Sequence, residues 1–235
     1  MRKELMTRDA NHDTNQKTWT TVDEYINSLL VPHDPILESA LQASAAAGLP
    51  EIAVTPSQGK LLHLLARSQN ARNILEIGTL GAYSTIWLAR ALPADGRVIT
   101  LEYSAKHAKV ARANIARAGL SDKVEVREGP ALETLPQIAA EARAPFDLIF
   151  IDADKENNAN YFNWALKLSR PGTVIFIDNV VREGAVVDAK STDPMVQGVR
   201  RFNDVLTSET RVIATTIQTV GSKGYDGFTL ALVLG

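Results

Sequence analysis

From residue 72 onward, short apolar runs alternate with segments of helical periodicity. The runs at 74–77, 98–102, 124–127, 146–152 and 174–178 are too short for helices and are bounded by turn residues, so they read as strands. Between them, Ala108, Ala111, Ile115 and Ala118 recur at helical spacing, with Ser104 suited to cap the helix and Gly119 to stop it. Further helices are expected over 82–92, 133–142 and 157–168. Strands and helices in strict alternation are the pattern of a parallel sheet covered on both faces, an α/β fold. A polar loop at 181–193, a helix at 195–206 and strands at 211–217 and 228–234 complete the chain. The linker 221–227 holds only glycine, polar residues and Tyr225, too little for a crossover helix, so the last strand should run antiparallel.

Ahead of the first strand the spacing predicts three helices. Val22, Ile26, Leu29 and Leu30 form one, ended by Pro32; Pro35 starts a second that closes at Gly48; Leu61, Leu62, Leu65 and Ala66 mark a third beginning near Thr55. Residues 1–18 are polar and can bury too little to offset the entropy of ordering, so they are expected to be a flexible tail, or else an arm that orders over a neighbouring subunit or a bound acceptor. Residues 19–235 then form a single domain, with 19–70 as the N-terminal helices and 71–235 as a cofactor-binding core.

Composition narrows the partners. At 235 residues and 45% hydrophobic content the chain can bury a full core. A formal charge of −2 gives no bulk attraction for nucleic acid, and no nucleic-acid partner is expected. Zero cysteines exclude disulfides and thiolate metal ligands. No run of 18 uninterrupted apolar residues occurs and the first 18 residues lack an apolar leader, so the expectation is a soluble, cytoplasmic protein without a membrane partner.

Chemistry-bearing residues collect at the strand ends, where open parallel sheets bind ligands. Gly78 and Gly81 permit a tight turn close to a ligand, but the third glycine of the dinucleotide fingerprint is absent. Glu102 ends the second strand, where an acid can accept from both ribose hydroxyls of an adenosine or simply cap the strand. Glu76 lies inside a strand expected to be buried and needs a partner, either the ammonium of an amino-acid ligand or an internal Lys or Arg. Asp152 and Asp178 close two apolar strands; if those strands are neighbours, about 4.8 Å apart, the carboxylates can share a cation, with Asn179 adding a neutral oxygen. Such a set suits Mg²⁺, Mn²⁺ or Ca²⁺ rather than zinc, unless the acids merely cap strands. Lys155 is a candidate general base beside such a cation, or a solvated lysine.

Taken together, the run 75–84 (Leu-Glu-Ile-Gly-Thr-Leu-Gly-Ala-Tyr-Ser), Glu102, Glu128-Gly129-Pro130-Ala131, Asp152-Ala153-Asp154-Lys155 and Asp178-Asn179-Val180 resemble the cation-dependent class I O-methyltransferases. These are the caffeoyl-CoA and catechol O-methyltransferase-like enzymes that use S-adenosylmethionine, and the likeness, to a bacterial-type member, spans residues 55–235. The resemblance implies a Rossmann-like seven-stranded, mostly parallel sheet with an antiparallel last strand, helices on both faces and extra N-terminal helices. It implies that Glu76, Gly78 and Ser84 hold the amino-acid part of the cofactor, Glu102 its ribose and Ala131 the adenine surroundings. Asp152, Asp178 and Asn179 would be the ligands of a divalent cation, Mg²⁺ foremost, with Asp152 also at the cofactor and Lys155 at the position of the base. The acceptor would be a small aromatic molecule with catechol-like or other vicinal hydroxyls, and the enzyme a homodimer. Where plant caffeoyl-CoA enzymes carry an aromatic residue after the Asp-Asn pair, this chain has Val180-Val181-Arg182-Glu183-Gly184; Arg182 either favours an anionic acceptor or is a solvated loop residue. The N-terminal helices and the loops 181–193 and 221–227 are expected to wall the acceptor pocket.

Two other classes share parts of the pattern. A nicotinamide-dependent oxidoreductase would show the third glycine, and in its short-chain form a Tyr followed four residues later by Lys; Tyr161 is followed there by Ala165. A non-catalytic cofactor-binding module has no need of Asp152, Asp178, Asn179 and Lys155 together.

Overall fold

The structure is a computed structural model that describes residues 2–141 and 143–234, with side chains from Thr14 onward. Helices α1 (Arg2–Leu30), α2 (Pro35–Ala46) and α3 (Pro56–Ser68) precede the sheet. There follow β1 (Asn73–Ile77), α4 (Tyr83–Ala91), β2 (Arg97–Glu102), α5 (Ala105–Arg117), β3 (Val124–Glu128), α6 (Ala131–Ala140) and β4 (Phe146–Ile151). The chain ends with α7 (Asn158–Lys167), β5 (Ser169–Asp178), α8 (Pro194–Ser208), β6 (Val212–Gly221) and β7 (Gly224–Val233). The helix starts follow local chemistry: Asp34, Thr55, Ser104 and Asp193 each accept from a backbone N–H of the first turn, and α2, α3 and α8 open on proline.

One seven-stranded sheet has the order β3-β2-β1-β4-β5-β7-β6. β1 to β5 pair in parallel and β7 inserts antiparallel between β5 and β6. This agrees with the expected fold in strand number, in the orientation of the last strand and in the helices on both faces. Alternation along β1 divides the core: Leu75 and Ile77 pack with Leu135, Phe162 and Phe202, whereas Ile74 packs with Leu62, Ile86 and Ile115 on the other face. On that second face Phe176 meets Phe150 edge-on at 5.5 Å and stacks on Phe228 at 4.5 Å, fixing β4, β5 and β7 side by side.

Three boundaries depart from the expected ones. β5 begins at Ser169, ahead of the apolar run, because Thr173 Oγ1 donates to Phe146 O and the polar stretch pairs through an irregular register with β4. α6 starts at Ala131, immediately after Pro130. The linker 221–227 is mostly strand: Gly221 pairs with Gly224 and Val220 with Tyr225, leaving a two-residue turn. Its glycines answer to contact, since a Cβ at Gly221 would lie 2.6 Å from Asp23 Oδ2 and one at Gly227 2.5 Å from Ile217 O.

No element ends at residue 18. Of the tail expected at 1–18, Met1 and the side chains of 2–13 lie outside what is described, while Gln16 Nε2 donates to Gly221 O at 3.0 Å, joining α1 to the β6–β7 turn. Among the described residues no helix is long and apolar enough to cross a membrane.

Candidate active site

The strand order reverses between β1 and β4, so the loops after these strands diverge and leave a crevice at their carboxyl ends. The turn after β1 lines it. Gly78, Leu80 and Ala82 have φ of 103°, 50° and 67°, and a Cβ at Gly78 would sit 2.0 Å from Asp152 O, so only glycine lets β1 and β4 meet there. Gly81 is confined by a side chain instead, its missing Cβ 2.0 Å from Ser44 Oγ, and Asn114 Nδ2 holds its carbonyl at 2.9 Å. Glu102 secures the turn from the neighbouring strand: its Oε2 accepts from Leu80 N at 2.8 Å and its Oε1 from Ser104 N at 2.9 Å. His107 Nδ1 lies 3.4 Å from the same carboxylate. Around these residues is a cavity of about 820 Å³, whose wall includes Gly78, Ser84, Glu102, Ala131, Asp152 and Lys155.

Glu76 is not on that wall. It is fully buried and both its oxygens accept from hydroxyls: Oε1 from Ser84 at 2.6 Å, Oε2 from Thr85 at 2.5 Å and Thr100 at 2.6 Å. Thr79, on the cavity wall, shares a 2.6 Å hydrogen bond with Thr100. The buried acid is therefore satisfied by neutral donors, neither by a lysine nor by an arginine, and it reaches the cavity only through Ser84 and Thr79. Burial pushes its carboxyl up to about 7 against the pull of these donors, with the charge of Asp152 adding to the push. The folded chain thus holds a proton between about pH 4.5 and 7 that the unfolded chain releases, and this contribution to stability is lost as pH rises through that window. Urea unfolding at about pH 5 and pH 7.5 should show the wild type losing more of its midpoint on the way up than Glu76→Gln; parallel midpoints would mean that the acid is ionised throughout.

Asp152 and Asp178 close β4 and β5, which pair with Ile151 opposite Ile177, so the two acids leave the sheet side by side. Asp152 Oδ1 accepts from Lys155 Nζ at 2.7 Å, and the lysine is itself 6% exposed. Its position is fixed from behind by α8, where a Cβ at Gly198 would come within 2.3 Å of Lys155 O. Asp178 accepts from Asn179 N at 2.9 Å and from Gln58 Nε2 at 2.7 Å. Burial raises its pKa and the adjacent Asp152 raises it further, against the opposing pull of the Lys155 ammonium. Asn179 has a left-handed backbone at φ 55°. A second cavity of about 660 Å³ lies over this pair, walled by Gln58, Asp178, Arg182, Lys223 and Tyr225 among others. Asp152, Asn179, Arg182 and residues 52–54 line both cavities, so the two spaces meet at the carboxylates.

The residues expected at the site are thus brought to one edge of the sheet, apart from Glu76, which lies beneath it. α1 and α3, the loop after β5 and the β6–β7 turn all contribute to the second cavity. Gln58, His107, Lys223 and Asp226 were not expected. Asp226 Oδ1 accepts from Val181 N at 2.9 Å and Arg182 N at 3.0 Å and so shapes the loop after β5. A carboxylate next to a glycine in a polar stretch carried no signal beyond a turn. Among the described residues no cluster of three or more His, Cys, Asp or Glu is placed to hold a metal ion; the donor set is two carboxylates and one amide.

Residues 28–234 match the O-methyltransferase family model. The chain is 56% identical over 219 residues to the catechol O-methyltransferase of Niastella koreensis, covering 93% of this chain and 99% of that relative. The structure superposes on an O-methyltransferase from Bacillus cereus in complex with SAH at a TM-score of 0.92, with 63% identity over 93% of this chain and 99% of that one. It superposes on TomG from Streptomyces achromogenes in complex with SAM at 0.91, with 55% identity over 94% and 99% of the two chains. With a matching sheet and a glycine turn braced by Glu102, this chain belongs to the O-methyltransferase family, as an S-adenosylmethionine-dependent enzyme related to the catechol and caffeoyl-CoA O-methyltransferases.

Proposed function

We propose that the enzyme transfers the methyl group of S-adenosylmethionine to a hydroxyl of a catechol-like aromatic acceptor, with a divalent cation held by Asp152, Asp178 and Asn179. The observation that carries this reading is the meeting of the two cavities at Asp152 and Asn179. The larger cavity suits the methyl donor: Gly78 and Ser84 are available to its amino-acid end, Glu102 to its ribose and Ala131 to its adenine. Glu76 would act through Ser84 rather than by touching the ligand. The smaller cavity suits the acceptor.

The donor set fits a hard cation. Two neighbouring carboxylates, with Asp178 raised in pKa by burial and then by Asp152, joined by an amide oxygen and with no sulfur or imidazole, match Mg²⁺ first and Mn²⁺ or Ca²⁺ next. When bound, such an ion supplies positive charge where negative charge develops on the acceptor oxygen. Lys155, pinned by Asp152 and the backbone contact of Gly198, brings a nitrogen to the same place, to accept the hydroxyl proton or to stabilise the phenolate that forms. The acceptor oxygen attacks the methyl carbon as the carbon–sulfur bond breaks, leaving the thioether product, and closely positioned walls provide much of the rate.

Labelled S-adenosylmethionine, catechol and about 1 mM Mg²⁺ should give methylated product, and exhaustive chelation should remove transfer while leaving donor binding intact. Transfer that survives chelation would remove the cation from the scheme; absence of donor binding would remove the scheme. The reading also includes a cytoplasmic homodimer. Supporting self-association, β6 is a ten-residue edge strand without a charged residue, exposed along almost its whole length.

A further inference from the structure

Residues 49–54 cross from α2 to α3 as a strap between cavities. Ile52, Ala53 and Val54 line both the larger and the smaller one. A third cavity, of about 420 Å³, reaches Ala53 and Val54 from the side of α2, with Leu41, Ala45 and Tyr83 among its other walls. The strap is anchored at its ends, where Leu49 and Val54 are buried, while Pro50, Glu51 and Ile52 between them are exposed. From Pro50 to Val54 no backbone group bonds to another backbone group among the described residues, so the strap lacks the ladder that fixes a helix or a strand.

A single side chain holds its middle. Lys223 Nζ, in the β6–β7 turn, donates to Ala53 O and, at 3.4 Å, to Glu51 O. The turn that carries this lysine is itself tied to α1, since Ser222 N donates to Asp23 Oδ2 at 2.7 Å and Gln16 Nε2 to Gly221 O at 3.0 Å. Lys223 is half-buried; burial lowers its pKa, and the charges of Asp152, Asp178 and Glu51 pull the other way. Its ammonium is nevertheless spent on the two carbonyls of the strap, where hydrogen bonds from a charged donor are stronger than those between neutral groups.

We infer that residues 49–54 are a gate over the place where the two cavities meet, and that Lys223 is its latch, a positioning residue that acts through the carbonyls of Glu51 and Ala53. With the latch made, Ile52 to Val54 stay on the walls of both cavities. With it broken, the strap has the third cavity to move into, and the larger cavity opens toward solvent. Closure of this kind slows the release of what is held inside and keeps water from the reacting groups. The inference rests on the placement of the methyl donor in the larger cavity proposed above.

Release of labelled S-adenosylhomocysteine, the thioether product, into an excess of unlabelled compound tests the latch. Lys223→Met keeps the length of the side chain without its donors and should release the product about tenfold faster than the wild type. Lys223→Arg, which can still donate to both carbonyls, should restore slow release. Equal rates in the wild type and Lys223→Met, or release from Lys223→Arg as fast as from Lys223→Met, would overturn the assignment. A second measurement needs no variant. Glutamyl endopeptidase cleaves after Glu51 only when the strap is drawn away from the body, so mass spectrometry should find the Glu51–Ile52 bond of the full-length wild type cut more slowly with S-adenosylhomocysteine bound than without it. Equal cutting with and without the compound would overturn the gate as well. Absence of S-adenosylhomocysteine binding to the wild type would instead overturn the proposed function, and this inference with it.

Discussion

Asp178→Ala should leave S-adenosylmethionine binding near the wild-type level and lower methyl transfer to a catechol by at least about a hundredfold. The separation follows from geometry. Asp178 is on the wall of the smaller cavity alone, whereas Asp152 is on both, so removing Asp178 spares the surroundings of the larger cavity proposed for the donor. Its carboxylate is buried and oriented by two donors, Asn179 N and Gln58 Nε2, and is thus committed to one direction. Removing it also takes away the like charge beside Asp152, so a small gain in stability without bound cation is consistent with the same picture. Calorimetric donor titration and a labelled-methyl assay on one preparation check both halves. Wild-type transfer in the variant would remove Asp178 from the site, and lost donor binding would mean that the effect is structural.

Gly78→Ala should destabilise the protein by about 3 kcal/mol and weaken donor binding at least tenfold. Two costs add. Alanine at φ 103° is strained, and its Cβ would lie 2.0 Å from Asp152 O and 2.7 Å from Asp152 C, backbone atoms that no side-chain rotation can clear. Either the turn lifts from β4 or the end of β4 moves, and both carry a wall of the larger cavity with them. Gly119→Ala is the control, since Gly119 has φ 68° but nothing within 4 Å of the added Cβ; it should cost only about 1 kcal/mol, the strain without the collision. Urea unfolding of both variants compares the costs directly. Equal destabilisation would show that the chain relaxes around the Gly78 collision.

Much of this arrangement can be read from residue order because buried parallel strands need brief, wholly apolar runs, as in Ile149-Phe150-Ile151, and their polar ends stand out against them. Asp152 and Asp178 were visible for that reason, and their adjacency followed once their strands paired. Other features leave no such trace. Ser169 to Gly172, polar and holding proline and glycine, lies outside the strand expected at 174–178, yet it is the exposed start of β5. Glu76 was visible as a buried acid, but its partners are Ser84, Thr85 and Thr100, ordinary neutral residues of a helix and a strand whose side chains meet only after packing. Gln58 looks like any polar residue in the first turn of an amphipathic helix, and its partner is 120 positions away. Contacts of that kind depend on how helices lie on the sheet, which periodicity does not encode.

The hydrogen bond from Gln58 to Asp178 bears on how such enzymes can be recombined. The helices ahead of the sheet are not an interchangeable cover whose only role is to choose among acceptors, because one of them orients a carboxylate of the proposed cation site. A chimaera that joins this sheet to the leading helices of a relative inherits that carboxylate without its guide unless the graft also delivers a donor at position 58. Shuffling at the junction near residue 70 should therefore yield hybrids whose selectivity and turnover change together.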